Sequence, residues 1–242
     1  MRSEAVREVL EAELAAAQQR RGGRWPQALD VGGGSGVWAV PLAAAGCEVT
    51  VVDPSADALA ILQRRADEAG VAERVHARQA DTDALAEHAP DGGADLVLAH
   101  GLLEVVDDAA GSLAGMVSAA APGGAVSLLV TNRFAAVLAR ALAGRVGESL
   151  ELFRAPDGRL AEQADPLRRR FDTGSLRELL VGAGVSVELV QGHDVLTELV
   201  PGPVLDNDPG AAAALDELER LASQQAPMRD IATRLHALGR VA

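Results

Sequence analysis

Three acidic residues in this sequence each end a short apolar run, and a cluster of glycines follows the first of them. Asp30 lies in the stretch ALDVGGGSGVWAV (28–40), just before the glycines, while Asp53 and Asp81 follow EVTVV and RVHARQA. A carboxylate accepts hydrogen bonds from an ammonium group, from ribose hydroxyls or from an exocyclic amine. Glycines let a backbone approach a ligand closely because they carry no Cβ. The combination predicts a binding site for a nucleoside-containing cofactor.

Three known glycine patterns compete for this stretch. A phosphate-binding P-loop requires a lysine followed by serine or threonine, and the sequence contains no lysine. A dinucleotide fingerprint, G-x-G-x-x-G/A, is met formally by Gly34, Gly36 and Ala39, but this frame begins late relative to the end of the apolar run. The third pattern, Asp30-Val-Gly32-Gly-Gly34-Ser-Gly36, resembles the cofactor loop of class I S-adenosylmethionine (SAM)-dependent methyltransferases.

The three acids match the chemistry of SAM at successive positions. Asp30 can accept from the ammonium of its methionine end, Asp53 from both ribose hydroxyls, and Asp81 from the adenine amino group. Asp53 and Asp81 also precede predicted helices, and each alone would more often be a helix N-cap than a ligand-binding residue. A dinucleotide site would use an acid such as Asp53 but has no standing need for Asp81. We therefore favour SAM over NAD.

The elements that position these residues alternate along the chain. Valine- and leucine-rich runs separated by alanine-rich helical stretches predict an α/β fold, with a mostly parallel sheet covered by helices on both faces. The predicted strands are 28–31, 48–53, 74–79, 94–100, 125–131 and 185–192, and the predicted helices are 3–20, 37–45, 55–69, 82–88, 107–120, 172–184 and 211–225. APGGAV (121–126) is interpreted as a turn that leads into the fifth strand.

The resemblance to class I methyltransferases adds detail to this outline. It implies a Rossmann-like sheet of seven strands whose last strand, about 235–241, is antiparallel, with SAM across the carboxyl ends of the first two strands. It also implies a single domain over 1–242. The stretch 134–172, which departs from the alternation, and the region 193–228 are expected to form a lid.

Composition limits the partners. The net charge of −13 disfavours broad electrostatic binding to nucleic acid. The single cysteine, Cys47, excludes an internal disulfide framework and a multi-cysteine metal site, and no histidine or carboxylate spacing suggests a metal site. The N-terminal segment has no signal-peptide core and no membrane-spanning run. We expect a cytoplasmic protein with neither a metal nor a membrane partner.

A closer resemblance concerns residues 99–145, from AHGLLEVVDD to NRFAAVLARALAGR, which are similar to bacterial tRNA 5-carboxymethoxyuridine methyltransferases. The residues that carry it are His100, Leu103-Glu104, Pro122-Gly123-Gly124 and Asn132. This resemblance implies O-methylation of a wobble-uridine carboxylate, and it places Arg2 near the carboxylate of the cofactor. The sequence departs from the family in lacking tyrosine and in having Met228 where the family has an aromatic residue. A small-molecule methyltransferase of specialised metabolism, a non-catalytic SAM-binding protein and, more distantly, an NAD-dependent oxidoreductase stay as alternatives.

The candidate site residues fall into two groups. Those expected at the cofactor are Arg2, Asp30, Gly32, Gly34, Ser35, Gly36, Asp53, Pro54, Asp81, Thr82 and His100. Those expected at a tRNA or small acidic acceptor are Asn132, Arg133, Arg168, Arg169, Arg170 and Arg229, with Arg234 a further candidate. A carboxylate acceptor is already ionised and needs no general base, whereas an amine or hydroxyl would be helped by one. His100 is the candidate base; alternatively it is a histidine hydrogen-bonded beside the cofactor.

Overall fold

The computed structural model describes residues 4–161 and 165–242, so Arg2 lies outside the described residues. The strands are β1 (Gln27–Val31), β2 (Glu48–Asp53), β3 (Val75–Gln79), β4 (Ala94–His100), β5 (Ala120–Thr131), β6 (Ser186–His193) and β7 (Arg234–Arg240). The helices are α1 (Glu4–Arg20), α2 (Ala39–Ala44), α3 (Ala56–Glu68), α4 (Leu85–His88), α5 (Ala109–Ala119), α6 (Arg133–Leu142), α7 (Val146–Arg154), α8 (Thr173–Gly182), α9 (Gly202–Asn207) and α10 (Pro209–Ala222).

The strands form one sheet in the order β3-β2-β1-β4-β5-β7-β6. Strand β7 pairs antiparallel with both β5 and β6, and the other pairings are parallel. The predicted seven-stranded, mostly parallel sheet with an antiparallel last strand is therefore confirmed. The chain moves outward from β1 to β3 and returns beside β1 as β4. This reversal opens a crevice at the carboxyl ends of β1 and β4, which is where open α/β sheets bind ligands.

Two apolar clusters lie on the two faces of the sheet. Alternate strand residues contribute to each, since successive side chains of a strand point to opposite faces. Leu29 and Val97 pack with α5 and α8 in one cluster, whereas Ala28 and Leu96 pack with α1, α2 and α3 in the other. Because both faces are covered, the central strands are apolar throughout rather than alternating.

The Pro122-Gly123-Gly124 segment does not form a turn ahead of the fifth strand, as predicted, but lies within it. Strand β5 begins at Ala120, and its register with β4 jumps from Ala94↔Ala120 to Leu96↔Ala125. Gly123 has φ +70°, and a Cβ on Gly124 would lie 2.8 Å from the carbonyl oxygen of Ala94. Glycines here permit a bulge that brings the two backbones together.

The stretch predicted as an insertion leaves the sheet and returns at one point. It contains α6 and α7 and closes where the Arg133 amide donates to the Phe171 carbonyl (2.7 Å) and the Phe171 amide donates to the Thr131 carbonyl (3.0 Å). The excursion 133–170 is thus anchored at the carboxyl end of β5, on the edge of the sheet that carries the glycine turn. Among the described residues, no helix is long and apolar enough to cross a membrane.

Candidate functional site

The glycine turn after β1 has a backbone that other residues cannot follow. Gly32, Gly34 and Gly36 have φ values of +68°, +53° and +76°, a region that favours glycine. A Cβ on Gly36 would overlap the side chain of Leu62, and one on Gly33 would lie 2.5 Å from the Asp30 carboxylate. The turn therefore forms a tight cradle in which only backbone faces the ligand.

Asp30 is buried under this cradle without a compensating partner. It is 1% exposed, and its Oδ2 receives no hydrogen bond from the described residues. Burial, and secondarily the charge of Asp53, raise the pKa of Asp30 to about 7. A buried carboxylate without a partner is unfavourable unless a ligand completes it. Because Asp30 lines a cavity of about 690 Å³, the missing partner fits a cationic group such as an ammonium.

Asp53 holds the turn in place. Its Oδ2 accepts from the Gly34 amide (2.9 Å) and its Oδ1 from the Ser55 amide (2.9 Å). The N-cap of α3 is Ser55, whose hydroxyl accepts from the Ala58 amide (3.2 Å). Asp53 is therefore not the helix cap that the sequence allowed. A carboxylate has about four acceptor positions, so it retains capacity for the two hydroxyls of a ribose.

Asp81 has the capping role that the sequence allowed. Its Oδ1 accepts from the Thr82 amide (2.7 Å) at the start of a short 3₁₀ turn. Asp81 and Thr82 also line a second cavity of about 620 Å³, together with Pro54. Gly32 lines both cavities. The two cavities therefore meet at the glycine turn, as a ligand with a nucleoside end and an amino-acid end requires.

Ser35 lies in the turn, where the Arg65 guanidinium donates to both its hydroxyl and its carbonyl oxygen (3.1 Å each). These contacts tie the turn to α3 and leave the face toward the cavities to the glycine backbone. Among the described residues, no group of histidines, cysteines and carboxylates is arranged to hold a metal ion.

His100, at the end of β4, lines the larger cavity next to Trp38. The two rings meet edge to face with their centroids 4.7 Å apart. The Nε2 atom of His100 lies 2.8 Å from the Ser127 hydroxyl. Burial, followed by the neighbouring His236, His193 and Arg234, holds the pKa of His100 well below its usual range. The imidazole is neutral at physiological pH.

The run Arg168 to Arg170 is occupied by protein acceptors. Arg169 donates to the carbonyls of Leu103 and Val106 (2.6 Å each). Arg170, which is buried, forms a two-pronged ion pair with Asp165 (2.8 and 2.9 Å). Arg168 donates to the Val105 carbonyl (3.1 Å) and pairs with Asp107 (2.8 Å). Arg168 and Arg169 thus fasten the excursion 133–170 to the loop that follows β4, whereas Arg170 holds the excursion together internally.

The other predicted acceptor-binding residues have structural partners as well. Arg133 pairs with Asp172 (2.6 Å), and Arg229 pairs with its neighbour Asp230 (2.8 Å). Asn132 caps α6, and its amide nitrogen donates to the carbonyls of Asp230 (2.9 Å) and Ala232 (2.7 Å). Of the acceptor-binding group over the described ranges, Asn132 lines the larger cavity, whereas Arg133, the arginine run and Arg229 do not.

Arg234 differs from these arginines. It is exposed, lines the larger cavity and forms no ion pair or hydrogen bond with the described residues. The same cavity is lined by three carboxylates, those of Asp30, Asp194 and Glu198. Asp194 is, among the described residues, the only non-glycine residue with a positive φ (55°), and its Oδ1 is buried without a hydrogen bond. Carboxylates thus outnumber cationic groups around the cavity.

Sequence reasoning missed the polar partners of His100. The Ser127 hydroxyl lies 2.9 Å from His236 Nε2, and the Gln191 amide nitrogen lies 3.0 Å from His236 Nδ1. All three residues are buried in the sheet. The available signal was a polar residue inside each of three apolar strands, at Ser127 in AVSLLVT, His236 in RLHALGR and Gln191 in VELVQG. That these residues meet depends on the order of the strands, which the sequence does not state locally.

Part of the chain is similar to known methyltransferases. Residues 28–124 match a family model described as a methyltransferase domain. A ubiquinone biosynthesis O-methyltransferase of Methylococcus capsulatus is 36% identical over 107 residues, or 44% of each chain. The tRNA 5-carboxymethoxyuridine methyltransferase of Escherichia coli K12 is 31% identical over 116 residues, which are 48% of this chain and 44% of that protein. The matched segment thus spans less than half the length of these curated relatives.

One solved structure resembles nearly the whole chain. It is a SAM-dependent methyltransferase from Mesorhizobium loti, with a TM-score of 0.58, 18% sequence identity and 96% of both chains covered. At this identity the likeness concerns the fold. Residues 28–124 thus match a methyltransferase domain, and nearly the whole chain shares the fold of a solved SAM-dependent methyltransferase.

Proposed function

We propose that this protein is a SAM-dependent methyltransferase that acts on a small molecule bearing an amine or hydroxyl. The assignment as a SAM-dependent enzyme rests on Asp30. Its buried carboxylate lies against the glycine cradle and has no hydrogen-bond partner among the described residues. Carboxylate and cradle together form a receptor for an ammonium group attached to a nucleoside. SAM supplies an electrophilic methyl group when it is bound there.

The arrangement of the two cavities supports one orientation of the cofactor. Asp30 receives the ammonium in the larger cavity, and Asp53, at the end of β2, receives the ribose hydroxyls. The smaller cavity, which contains Pro54, Asp81 and Thr82, receives the adenine. The apolar side chain of Leu102 also lines the smaller cavity and is suited to the flat face of a base.

The larger cavity has room for the acceptor beside the methionine end of the cofactor. Its volume of about 690 Å³ falls in the usual range of small-molecule sites. Part of its wall is apolar and consists of Val37, Trp38, Leu129, Ala135, Ala136 and Ala139. With Asp30 assigned to the cofactor, the two remaining carboxylates, Asp194 and Glu198, against the one guanidinium of Arg234 favour a neutral or cationic acceptor over an acidic one.

The protein contributes to methyl transfer by positioning the acceptor. Displacement at a methyl carbon needs the nucleophile about 3 Å away and in line with the leaving sulfur, and holding it there supplies most of the rate gain. The apolar wall orients the acceptor, and Asp194 offers a carboxylate oxygen that can take the proton an amine loses on methylation. Burial holds the pKa of His100 well below its usual range, which weakens the imidazole as a base.

Two elements are proposed to close over the acceptor. Ala135, Ala136 and Ala139 come from the excursion 133–170, and Asp194 and Glu198 come from the segment after β6. Both elements contribute to one cavity wall, which supports a lid within a single domain over 1–242.

A second candidate is ester formation at a carboxylate, including that of a wobble uridine. The unpaired guanidinium of Arg234 favours it, since arginine is suited to hold a carboxylate. The similarity to the E. coli tRNA methyltransferase also supports ester formation. Three features argue against ester formation: the acidic cavity, the binding of Arg168 to Arg170 by protein acceptors, and the net charge of −13.

The test is a methyl-transfer assay with methyl-labelled SAM. The acceptors are amines, phenols, alcohols and carboxylic acids of small size, with unmodified total tRNA in a separate reaction; mass spectrometry identifies the products. We expect transfer to a small amine or hydroxyl. Asp194→Asn should slow this transfer while leaving SAM binding intact, and Asp91→Asn, an exposed acid at the amino end of β4, serves as the control. Transfer confined to tRNA or to carboxylic acids would contradict the small-molecule proposal.

A further inference from the structure

A chain of polar side chains crosses the sheet from the cavity into the interior. It runs from His100 on β4 to Ser127 on β5, to His236 on β7 and to Gln191 on β6, with donor–acceptor distances of 2.8, 2.9 and 3.0 Å. Ser127, His236 and Gln191 are at most 1% exposed. Polar groups buried in a sheet are unfavourable unless all their hydrogen bonds are made. Apolar residues would fill the same space without this requirement, so packing alone does not explain the chain.

Gln191, the last residue in this series of polar side chains, fixes the direction in which the hydrogen bonds run. The amide nitrogen of Gln191 can only donate a hydrogen bond, so His236 Nδ1 accepts and the proton of this ring is on Nε2. His236 Nε2–H then donates to the Ser127 oxygen, and the Ser127 hydroxyl donates to Nε2 of His100. With the Ser127 hydroxyl donating to Nε2, His100 carries its proton on Nδ1, an atom that is buried and has no hydrogen-bond partner among the described residues.

We infer that Gln191, His236 and Ser127 are positioning residues that hold His100 in the neutral Nδ1–H tautomer, so that no cation forms beside the sulfonium of SAM. The role beside the sulfonium rests on the proposed function, whereas the assignment of the tautomer does not. To protonate His100 Nε2, the Ser127 hydroxyl would have to give up its acceptor there, and His236 Nε2, which already carries a proton, cannot replace it. The chain thereby opposes an imidazolium, which would repel the positive sulfonium in the same cavity.

Three neighbouring side chains disfavour a positive charge on the imidazole of His100, namely Arg234 and His236 on β7 and His193 on β6. The carboxylates of Asp30, Asp194 and Glu198 line the same cavity. Trp38 packs edge to face against the ring. The pKa of His236 is itself lowered to about 3 by burial and by His193, so the link next to Ser127 also stays neutral.

The test replaces the donor at the far end of the chain by an acceptor. In Gln191→Glu the carboxylate accepts from His236 Nδ1–H, the Ser127 hydroxyl turns to His236, and His100 Nε2–H donates to Ser127. Nitrogen-15 NMR of the imidazole rings distinguishes the two tautomers. We expect Nδ1–H at His100 in the wild type and Nε2–H in Gln191→Glu. Gln79→Glu, at the end of the edge strand β3, makes the same chemical change outside the chain and should leave the spectrum of His100 unaltered.

Ser127→Ala is the second variant, in case Gln191→Glu does not fold. It removes the central link, and the ring shifts of His100 should then become intermediate between those of the two tautomers. Nε2–H at His100 in the wild type would overturn the inference, as would an unchanged His100 spectrum in a folded variant.

SAM binding provides the functional readout. In Gln191→Glu the reversed chain is compatible with an imidazolium, so the affinity for SAM should fall by about tenfold between about pH 8 and about pH 6, relative to Gln79→Glu at each pH. An unchanged ratio of the two affinities would overturn the role beside the sulfonium. If the wild type does not bind SAM while the tautomers are as expected, the proposed function fails and the tautomer assignment stands.

Discussion

At the scale of single residues, Asp30 is recognised as a ligand-binding group because its buried carboxylate has no hydrogen-bond partner among the described residues. A carboxylate that is buried, unpartnered and surrounded by glycines contributes nothing to the stability of the ligand-free fold. Its pKa of about 7 means that the folded protein holds a proton which the unfolded chain releases near pH 4. Burial of the Asp30 carboxylate becomes favourable when a cation binds beside it.

The first prediction follows from this linkage. Because the pKa of Asp30 is higher in the folded protein, the free energy of unfolding of the SAM-free protein should fall as pH rises from about 4 to about 7 and then level off. Asp30→Asn should remove this part of the pH dependence, so that the variant gains stability relative to the wild type as pH rises. Denaturant unfolding at a series of pH values measures both effects.

Asp30→Asn should also weaken SAM binding by at least about tenfold, since the amide cannot offset the ammonium charge. The matched control is Asp95→Asn. Asp95 is likewise buried, at the amino end of β4, where it accepts from Arg21 (3.0 Å) and from the Gln27 amide (2.8 Å). Its variant should lose stability but bind SAM normally. Equal loss of SAM affinity in both variants would mean that Asp30 acts only through the fold.

At the scale of elements, the β1–turn–α2 unit fixes where the cofactor lies. The second prediction concerns Gly36→Ala: the added methyl group would overlap Leu62, and alanine rarely adopts φ +76°. We expect destabilisation of about 1–3 kcal/mol and loss of SAM binding. Thermal unfolding and calorimetry measure the two effects.

Gly182→Ala is the control for this prediction. Gly182 ends α8, and a Cβ there meets no atom within 4 Å. This variant should be as stable as the wild type or slightly more stable, with SAM binding intact. Normal SAM binding by Gly36→Ala would contradict the role assigned to the turn.

The third prediction concerns the excursion 133–170. Arg170→Met leaves Asp165 as a buried charge without its two-pronged partner, and the Gly158 carbonyl also loses a donor (2.9 Å). We expect a loss of about 3–5 kcal/mol in the free energy of unfolding. Arg64→Met, which removes an exposed i,i+4 pair with Glu68 (3.8 Å), should cost less than about 0.5 kcal/mol.

Acceptor preference distinguishes a structural role of Arg170 from a substrate role. If Arg170 serves only to hold the excursion, the folded fraction of Arg170→Met should retain the wild-type ranking of acceptors. A selective loss of activity on acidic acceptors would indicate that Arg170 contributes to the acceptor site.

The elements differ in how far the sequence predicts them. The strands, the glycine turn and the three acids at strand ends are local patterns, and the structure has them close to their predicted positions. The partners of Arg169 lie 63 and 66 positions away, and those of Ser127 lie 27 and 109 positions away. A local pattern does not specify such contacts, which explains why the arginine run suggested an acidic acceptor and the polar chain was missed. The strand bulge at Pro122-Gly123-Gly124 was read as a turn for the same reason.

At the scale of the whole molecule, charge separates the two candidate acceptor classes. A net charge of −13 repels a phosphate backbone. The arginines predicted to bind the acceptor, apart from Arg234, are paired with carboxylates or carbonyls of the protein. The fourth prediction is weak, non-specific binding to unmodified tRNA, with a Kd of about 10⁻⁴ M or weaker at physiological salt. Filter binding over a series of salt concentrations measures it. Tight and sequence-selective binding would favour the wobble-uridine alternative.

The central claim is that the cradle after β1 binds SAM through Asp30, and calorimetric titration with SAM and with NAD tests it most directly. The account predicts a single saturable site for SAM, weakened as pH falls below about 7 because Asp30 then becomes protonated, and no comparable heat from NAD. Saturable binding of NAD without binding of SAM would contradict it.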